Sequence, residues 1–173
     1  FKVRDKYASF ISKKTMLPIH FIRRVREGDF HLDYDYQFNY NNNKAVVDEK
    51  RKQNSKTDTI DIISCSYDIM SSVYFSRAIN FNKYTIDDTI PMNVILDKQI
   101  FKDLYIIYKG IKKVTCQNKK VVECIHFQAN LIEGTIFKAD ESMNVFVSND
   151  LNRIPIYVEA EILVGAVRVY SSS

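Results

Sequence analysis

The sequence is poor in glycine and has no long apolar run. Its four glycines are isolated, so it has no glycine-rich phosphate-binding loop and nucleotide binding is not expected. No apolar run reaches the about 18 residues that a bilayer-spanning helix needs, so no transmembrane segment is expected. The chain also lacks a Gly-x-Ser-x-Gly motif, which presents the nucleophilic serine in many hydrolases. These absences exclude three well-marked functional classes.

The composition is that of an ordinary globular protein with many aromatic residues. Of 173 residues, 46% are hydrophobic and 27% are charged, and there are 11 Tyr and 11 Phe but only three prolines. This composition favours strands around a filled core, in a single β-rich domain spanning residues 1–173.

The formal net charge of +4 is mild, and the basic residues are clustered. The two clusters are Lys50, Arg51, Lys52 and Lys56, and Lys112, Lys113, Lys119 and Lys120. Neither has the interleaved aromatic and glycine residues of a nucleic-acid surface, so no nucleic-acid partner is expected. Solvated loops are favoured over phosphate binding for both clusters.

The clearest pattern is a strict alternation of apolar and polar residues. The apolar positions are Phe30, Leu32, Tyr34, Tyr36, Phe38 and Tyr40. Because successive side chains on a strand point to opposite faces, the alternation predicts a strand with one buried and one wet face. Turn-forming residues at 27–29 and 41–43 flank it. Residues 18–47 are therefore predicted as three consecutive antiparallel strands.

Strand signals return at residue 89 and continue to the end of the chain. Residues 100–115 are predicted as a long strand bent near Gly110. Residues 48–61 are polar and are predicted as a strand end running into an exposed loop. Short turns favour antiparallel pairing, and a sheet of roughly nine to eleven strands tends to curl. The predicted fold class is mainly β, an antiparallel meander curled into a barrel or half-barrel.

One helix is predicted, over about residues 66–80. Its apolar stripe is Ile69, Met70, Val73, Tyr74 and Ala78, and Ser66 or Asp68 is available as the N-cap. The width of the stripe predicts that this helix packs on the sheet or plugs its open end.

Four aromatic residues of the alternating strand are predicted to line a ligand site: Phe30, Tyr34, Tyr36 and Phe38. Arg23 and Glu27 join them, since they share the parity of three apolar residues of their own strand, Ile19, Phe21 and Val25. A charge that points inward must be paired or meet water. Two alternatives stay open for the aromatic residues, which either line a cavity or fill the core. The charged residues Arg23 and Glu27 either form a structural ion pair or line a cavity.

Catalytic and metal-binding patterns are weak. His20, His31 and His126 lie far apart and in no zinc motif, so no metal, cofactor or catalytic residue is assigned. Asp33 and Asp35 share one strand face, with Arg24 and Arg26 expected across the hairpin as ion-pair partners. The same carboxylates are the basis of a distant alternative, a metal-independent hydrolase.

Three cysteines leave at least one unpaired. Cys116 and Cys124 flank a turn-like segment and either bridge adjacent strands or are two small core residues, whereas Cys65 has no obvious mate.

Several segments together resemble a known family. They are Leu17 and Pro18 before an Arg-rich run and Glu27 with Gly28; residues 68–74 with Arg77; residues 148–150 with 153–155; and residues 159–165. In this order they resemble a bacterial family of exported proteins catalogued as domain of unknown function 3108. The family tends to have further strands before the position of Phe1, so this chain is expected to be either a fragment that lacks those strands or an unusually short member.

The resemblance implies a periplasmic or outer-envelope protein without known catalytic residues. An oxidising compartment would favour a bridge between Cys116 and Cys124. The leading hypothesis is a non-enzymatic envelope protein that binds a lipid or another apolar or amphipathic molecule. The alternative is a structural or assembly module that contacts another envelope protein.

Overall fold

A computed structural model describes residues 3–130, 142–161 and 166–170 of the chain. Within these ranges the first five strands form one sheet in sequence order: β1 (Lys6–Ile11), β2 (Pro18–Glu27), β3 (Phe30–Asn39), β4 (Lys44–Arg51) and β5 (Asn54–Asp61). Every neighbouring pair is antiparallel. The predicted meander is confirmed.

The other seven strands form a second sheet: β6 (Ser66–Asp68), β7 (Thr89–Leu96), β8 (Gln99–Thr115), β9 (Val121–Asn130), β10 (Ser142–Ser148), β11 (Pro155–Glu161) and β12 (Ala166–Tyr170). They pair in sequence order from β6 to β12. The pairing of β6 with β7 is parallel. The helix α1 (Ile69–Ser76) and a 3₁₀ helix (Phe81–Lys83) lie between these two strands in the chain, as a parallel crossover requires.

The structure does not support the predicted barrel or half-barrel. Neither sheet is closed or strongly curled, although the chain is mainly β as predicted. The strands divide between two open sheets instead of forming one long sheet, and β1 and β5 stand at opposite edges of the first. Closure requires the edge strands to pair with each other, and here they do not.

The chain divides into two compact units. The first unit comprises Phe1–Ala78 and Met92–Lys102, and the second comprises Ile79–Pro91 and Asp103–Ser173. The division falls within β7 and again within β8, so both strands contribute residues to both units. The single domain expected from the sequence stays a prediction.

The core of the first unit lies on one face of the five-stranded sheet, here called the inner face. Its buried cluster consists of Phe21, Val25, Leu32, Tyr34, Tyr36, Phe38, Ala45, Val47, Ile62 and Ile95. The even-numbered residues from Leu32 to Phe38 all belong to this cluster, which confirms the predicted alternation along β3. The opposite face of the sheet is called the outer face.

Two of the shifts of strand register bear on predictions made from the sequence. Between β1 and β2 the pairing passes from Phe10 with His20 to Ile11 with Pro18, so Ile19 is the extra residue of a bulge. Ile19 is 55% exposed, and its predicted position on the core face is wrong.

Another shift lies in β8, where two residues between Tyr108 and Ile111, Lys109 and Gly110, oppose the single residue His126 of β9. Gly110 has a φ of 84° there, a conformation that L side chains rarely adopt. A Cβ added at this position would lie 3.2 Å from Ile86 Cδ1. The structure thus confirms the predicted irregularity near Gly110 and explains why a glycine occupies it.

The exposed loop predicted at residues 48–61 is wrong. β4 continues to Arg51, and β5 pairs with it along its whole length. β5 is an edge strand with little buried surface, so its two faces carry mostly polar residues and no alternation marks it in the sequence. Its pairing depends on backbone hydrogen bonds to β4, which leave no hydrophobic signal.

The helix α1 is shorter than predicted and is turned the other way. Asp68 caps it as expected, accepting hydrogen bonds from the N–H groups of Met70 (2.8 Å) and Ser71 (2.9 Å). Ser71 is buried, and its hydroxyl group accepts a hydrogen bond from the N–H of Asp68. Ile69, Met70 and Tyr74, part of the predicted core stripe, are exposed. Among the described residues no helix has the length and hydropathy needed to cross a bilayer.

Candidate functional site

The outer face of the five-stranded sheet contains a cavity of about 230 Å³, here called the cationic cavity. It is lined by Arg26, His31, Asp33, Lys50 and Lys52. The strand register creates it, because Arg26 of β2 lies opposite His31 of β3, and Asp33 lies opposite Lys50 of β4. Lys52 follows in the tight turn that joins β4 to β5. Three cationic side chains therefore surround one carboxylate.

The carboxylate of the cavity is already paired. Arg26 Nη1 lies 2.5 Å from Asp33 Oδ1, and Arg24 Nε lies 3.7 Å from Asp33 Oδ2. The hydrogen bond from Arg26 lowers the pKa of Asp33 below its ordinary value of 3.8. Asp33 thus stays ionised at neutral pH, and its charge is neutralised by the arginines beside it. These ion pairs confirm the cross-strand pairing predicted from the sequence.

The remaining polar groups of the cavity have no such partner. The side chains of His31, Lys50 and Lys52 are exposed and form no hydrogen bond or ion pair with residues in the described ranges. With His31 neutral, the lining has two net positive charges. Such a lining attracts anions, and ammonium groups without a partner can donate to their oxygen atoms.

The other end of the outer face has two exposed apolar side chains. Phe10 of β1 is 55% exposed and stacks on His20 at 5.4 Å between ring centroids. In the same cross-strand row lies Val46 of β4, which is also exposed. Six residues of β2 separate His20 from Arg26, so about 20 Å separates this row from the cationic cavity. The outer face thus has exposed apolar side chains at one end, with His20 and Gln37 between them, and the cationic cavity at the other.

The predicted ligand-lining aromatic residues lie on the inner face. Tyr34, Tyr36 and Phe38 are buried in the core cluster, with ring centroids 5.7 Å and 6.2 Å apart along the strand. Phe30, at the start of β3, is 46% exposed. The burial of three of the four favours the core-filling alternative, and their contact with a ligand stays a prediction.

Arg23 and Glu27 do not pair with each other. Arg23 forms an ion pair with Asp97, which lies in the turn between β7 and β8. Glu27 is half-buried opposite Phe30 at the end of β2. Arg23 is therefore part of a structural ion pair. Its partner lies 74 residues away in the sequence, where no local pattern could indicate it.

The contacts of Lys98, the second residue of this turn, were not predicted from the sequence. Lys98 Nζ forms ion pairs with Glu49 and with Asp58, the latter at 3.0 Å. The backbone N–H of Lys98 donates a hydrogen bond to the hydroxyl oxygen of Tyr36 at 3.0 Å. The hydrogen bond from Lys98 lowers the pKa of Glu49. Lys98 and Asp97 together fasten the turn to the inner face.

Among the described residues of the second unit, one buried titratable residue has an unpaired side-chain atom. His126 is 4% exposed and stacks on Phe146 at 4.3 Å between ring centroids. Its Nε2 lies 2.8 Å from Asn144 Oδ1, and its Nδ1 has no hydrogen-bond partner among the described residues. Burial lowers the pKa of His126, so the ring is neutral at neutral pH.

The structure has no bridge between Cys116 and Cys124, which was one of the two alternatives for these residues. All three cysteines are free, and Cys124 lies opposite Lys112, four residues before Cys116. Four residues of a strand span about 13 Å, whereas a bridge needs Cα atoms within about 7 Å of each other. Burial raises the pKa of Cys124 to about 11. The described part of the chain also contains no group of three metal-ligating side chains.

The family of this chain follows from its whole length. A family model described as "Protein of unknown function (DUF3108)" matches residues 1–171. The chain belongs to the DUF3108 family. No curated protein and no solved structure gives a significant match. Since the description of DUF3108 assigns no activity, the function is argued from the geometry of the sheet.

Proposed function

We propose that the protein is a non-enzymatic, exported protein of the cell envelope that binds an anionic amphipathic molecule on the outer face of its five-stranded sheet. The observation that carries the proposal is the division of that face. Exposed apolar groups occupy one end and the cationic cavity occupies the other, about 20 Å away along β2. An amphipathic molecule with an acidic group complements both ends at once.

The ligand is placed on the outer face because the inner face is filled. Tyr36 is 1% exposed, and the aromatic rings around it pack against one another. Because the inner face of the sheet is filled by its own side chains, the proposed ligand binds to the outer face. An apolar or amphipathic ligand thus remains the proposal, at a position different from the predicted one.

The non-enzymatic part rests on the state of the carboxylates. Asp33 and Asp35 lie on one face, as a hydrolase would need, but each is bound by cationic groups. His20 Nε2 lies 2.6 Å from Asp35, and Arg24 lies within 3.7 Å of both carboxylates. A general acid needs a raised pKa, whereas the pKa of Asp33 is lowered.

The export part rests on the family resemblance described above.

Native mass spectrometry of the protein purified from its own host's envelope tests the proposal. We expect an anionic amphipathic molecule bound in stoichiometric amount, and a lower occupancy in the Phe10→Ser variant. The control is Tyr74→Ser, which removes an exposed aromatic ring from α1 instead. A bare protein mass, together with no uptake of added anionic amphiphile, would contradict the proposal.

A second candidate function is assembly through α1. Ile69, Met70 and Tyr74 expose adjacent apolar side chains on this helix, and two copies of such a face can cover each other in a symmetric dimer. Sedimentation over a range of concentrations should then show a dimer that Met70→Lys weakens. A monomer at every concentration would leave only the ligand-binding proposal.

A further inference from the structure

We propose that the cationic cavity is a binding site for a doubly charged oxyanion of the phosphate class. Lys50 and Lys52 supply the main charges, and His31 and Arg26 line the site. The inference rests on the proposed function only in so far as the oxyanion is the acidic group of an amphipathic molecule. It reverses the expectation that these lysines belong to a solvated loop.

The strand alternation selects which basic residues face the cavity. In the sequence, Lys50, Arg51, Lys52 and Lys56 form one cluster. In the hairpin of β4 and β5, Arg51 pairs with Glu49 and Lys56 pairs with Asp58 on the inner face. Lys50 and Lys52 line the cavity instead and have no ion-pair partner in the described part of the chain. The cavity thus receives the two unpaired cations of the cluster.

The charge of the lining matches a dianion. Arg26, Lys50 and Lys52 provide three positive charges against the single carboxylate of Asp33. A monoanion would leave one charge uncompensated, whereas a phosphate monoester or inorganic phosphate at neutral pH has about two negative charges. Charge-assisted hydrogen bonds to such oxygen atoms are shorter and stronger than neutral ones.

The donor types favour a tetrahedral oxyanion over a planar carboxylate. A carboxylate binds best to the fork of an arginine, and Arg26 already holds Asp33 at 2.5 Å. The same Nη1 atom donates to the carbonyl oxygen of Val25 at 2.7 Å, which fixes its position. The other donors of the lining are the ammonium groups of Lys50 and Lys52 and the imidazole ring of His31, which act as separate charges and donors around a compact ion.

The cavity has room for this ion. Its volume of about 230 Å³ is large against the about 30 Å³ that one water molecule occupies in the liquid. It is open to solvent, so a group attached to the phosphate can extend along the outer face. The shared chemistry fits free phosphate, a phosphate monoester or a phospholipid head group.

A titration of the full chain with inorganic phosphate tests the site. At constant ionic strength we expect saturable binding by calorimetry, with amide NMR shifts confined to residues near the cavity. The Lys50→Gln and Lys52→Gln variants should each weaken binding by about five- to tenfold, and Lys50→Arg should retain it. Asp33→Asn should strengthen binding, an effect that a merely structural role of Asp33 would not produce.

The matched control is Lys13→Gln. Lys13 lies before β2 begins, and eight residues from Pro18 to Arg26 place it about 26 Å or more from the cavity. At about 0.15 M ionic strength the Debye length is about 8 Å, so this variant removes a positive charge without affecting the site. Equal weakening by Lys13→Gln and Lys50→Gln, or binding that never saturates, would overturn the inference.

A vesicle arm separates the inference from the proposed function. Phosphatidylcholine vesicles are compared with and without phosphatidate. Binding of phosphate without any preference for phosphatidate vesicles keeps the site and contradicts the amphipathic ligand. The opposite outcome has two parts: free phosphate does not bind, and the Lys50→Gln and Lys52→Gln variants bind phosphatidate vesicles as well as the unchanged protein does. This outcome contradicts the site and keeps the amphipathic ligand.

Discussion

The two faces of the five-stranded sheet carry similar charged residues in different circumstances. On the inner face, Arg23 and Lys98 each meet a carboxylate and fasten the turn between β7 and β8 to the sheet. On the outer face, Lys50 and Lys52 are exposed and form no hydrogen bond or ion pair with any residue that the structure describes. The difference separates charges that stabilise the fold from charges that are free to bind a ligand.

The largest expected difference between the faces comes from a matched pair of phenylalanines. Phe21, which is 2% exposed, lies in the core cluster, and Phe10 is on the outer face. Phe21→Ala should lower the free energy of unfolding by about 3–5 kcal/mol, because it leaves a cavity in the core. Phe10→Ala should cost at most about 1 kcal/mol, mainly the stack on His20. Urea denaturation measures both, and equal losses would show that the faces are not distinct.

Removal of one hydroxyl group tests how the turn is held. In Tyr36→Phe the half-buried backbone N–H of Lys98 loses its acceptor, and the loss of such a hydrogen bond costs about 0.5–1.5 kcal/mol. The exposed Tyr74 provides the control, and Tyr74→Phe should change stability by less than about 0.5 kcal/mol. If the two variants unfold at the same urea concentration, the hydrogen bond contributes nothing to stability.

Removal of the Lys98 ammonium group tests the paired charges. Lys98→Met should cost about 1 kcal/mol, since the pair is partly solvated and Arg51 still binds Glu49. The pKa of Glu49 is below its ordinary value of 4.5 in the folded protein. Its contribution is therefore complete above the unfolded pKa and is lost as the pH falls through the folded pKa.

The unfolding free energy of the Lys98→Met variant should consequently fall less than that of the unchanged protein between about pH 7 and about pH 3. Urea denaturation at both pH values measures this slope. An identical slope in both proteins would mean that Lys98 does not shift the titration of Glu49.

The smallest effect is expected on the outer face. Lys50→Gln and Lys52→Gln should change the free energy of unfolding by less than about 0.5 kcal/mol, because both lysines are exposed and neither forms an ion pair within the described ranges. Thermal unfolding at low and high salt checks this. A loss similar to that of Lys98→Met would mean that the outer lysines stabilise the fold.

The features that the sequence predicts well are local. The alternation along β3 and the flanking turns depend on a few consecutive residues, and the structure confirms them. The irregularity at Gly110 is similarly local. The choice of the buried face of α1 is not a local feature. The capping hydroxyl of Ser71 is buried, while the more apolar Met70 is exposed. Polarity alone therefore predicted the wrong buried face.

The features that the sequence missed depend on distant contacts. Lys98 finds Glu49 across 49 residues, and strand β5 depends on pairing with β4. Reading residues 48–61 as a loop also concealed the cationic cavity, since only the alternation of a strand sends Lys50 to one face and Arg51 to the other. The sequence shows the basic cluster, but it does not show which of the basic residues lie on each face of the sheet.

The most direct test of this division is the affinity for inorganic phosphate of the doubly substituted Lys50→Gln/Lys52→Gln protein, measured by calorimetry beside Lys98→Met. We predict that the double variant loses phosphate binding while Lys98→Met retains it. Phosphate binding that survives in the double variant, or that Lys98→Met abolishes equally, would contradict the assignment of ligand binding to the unpaired outer charges.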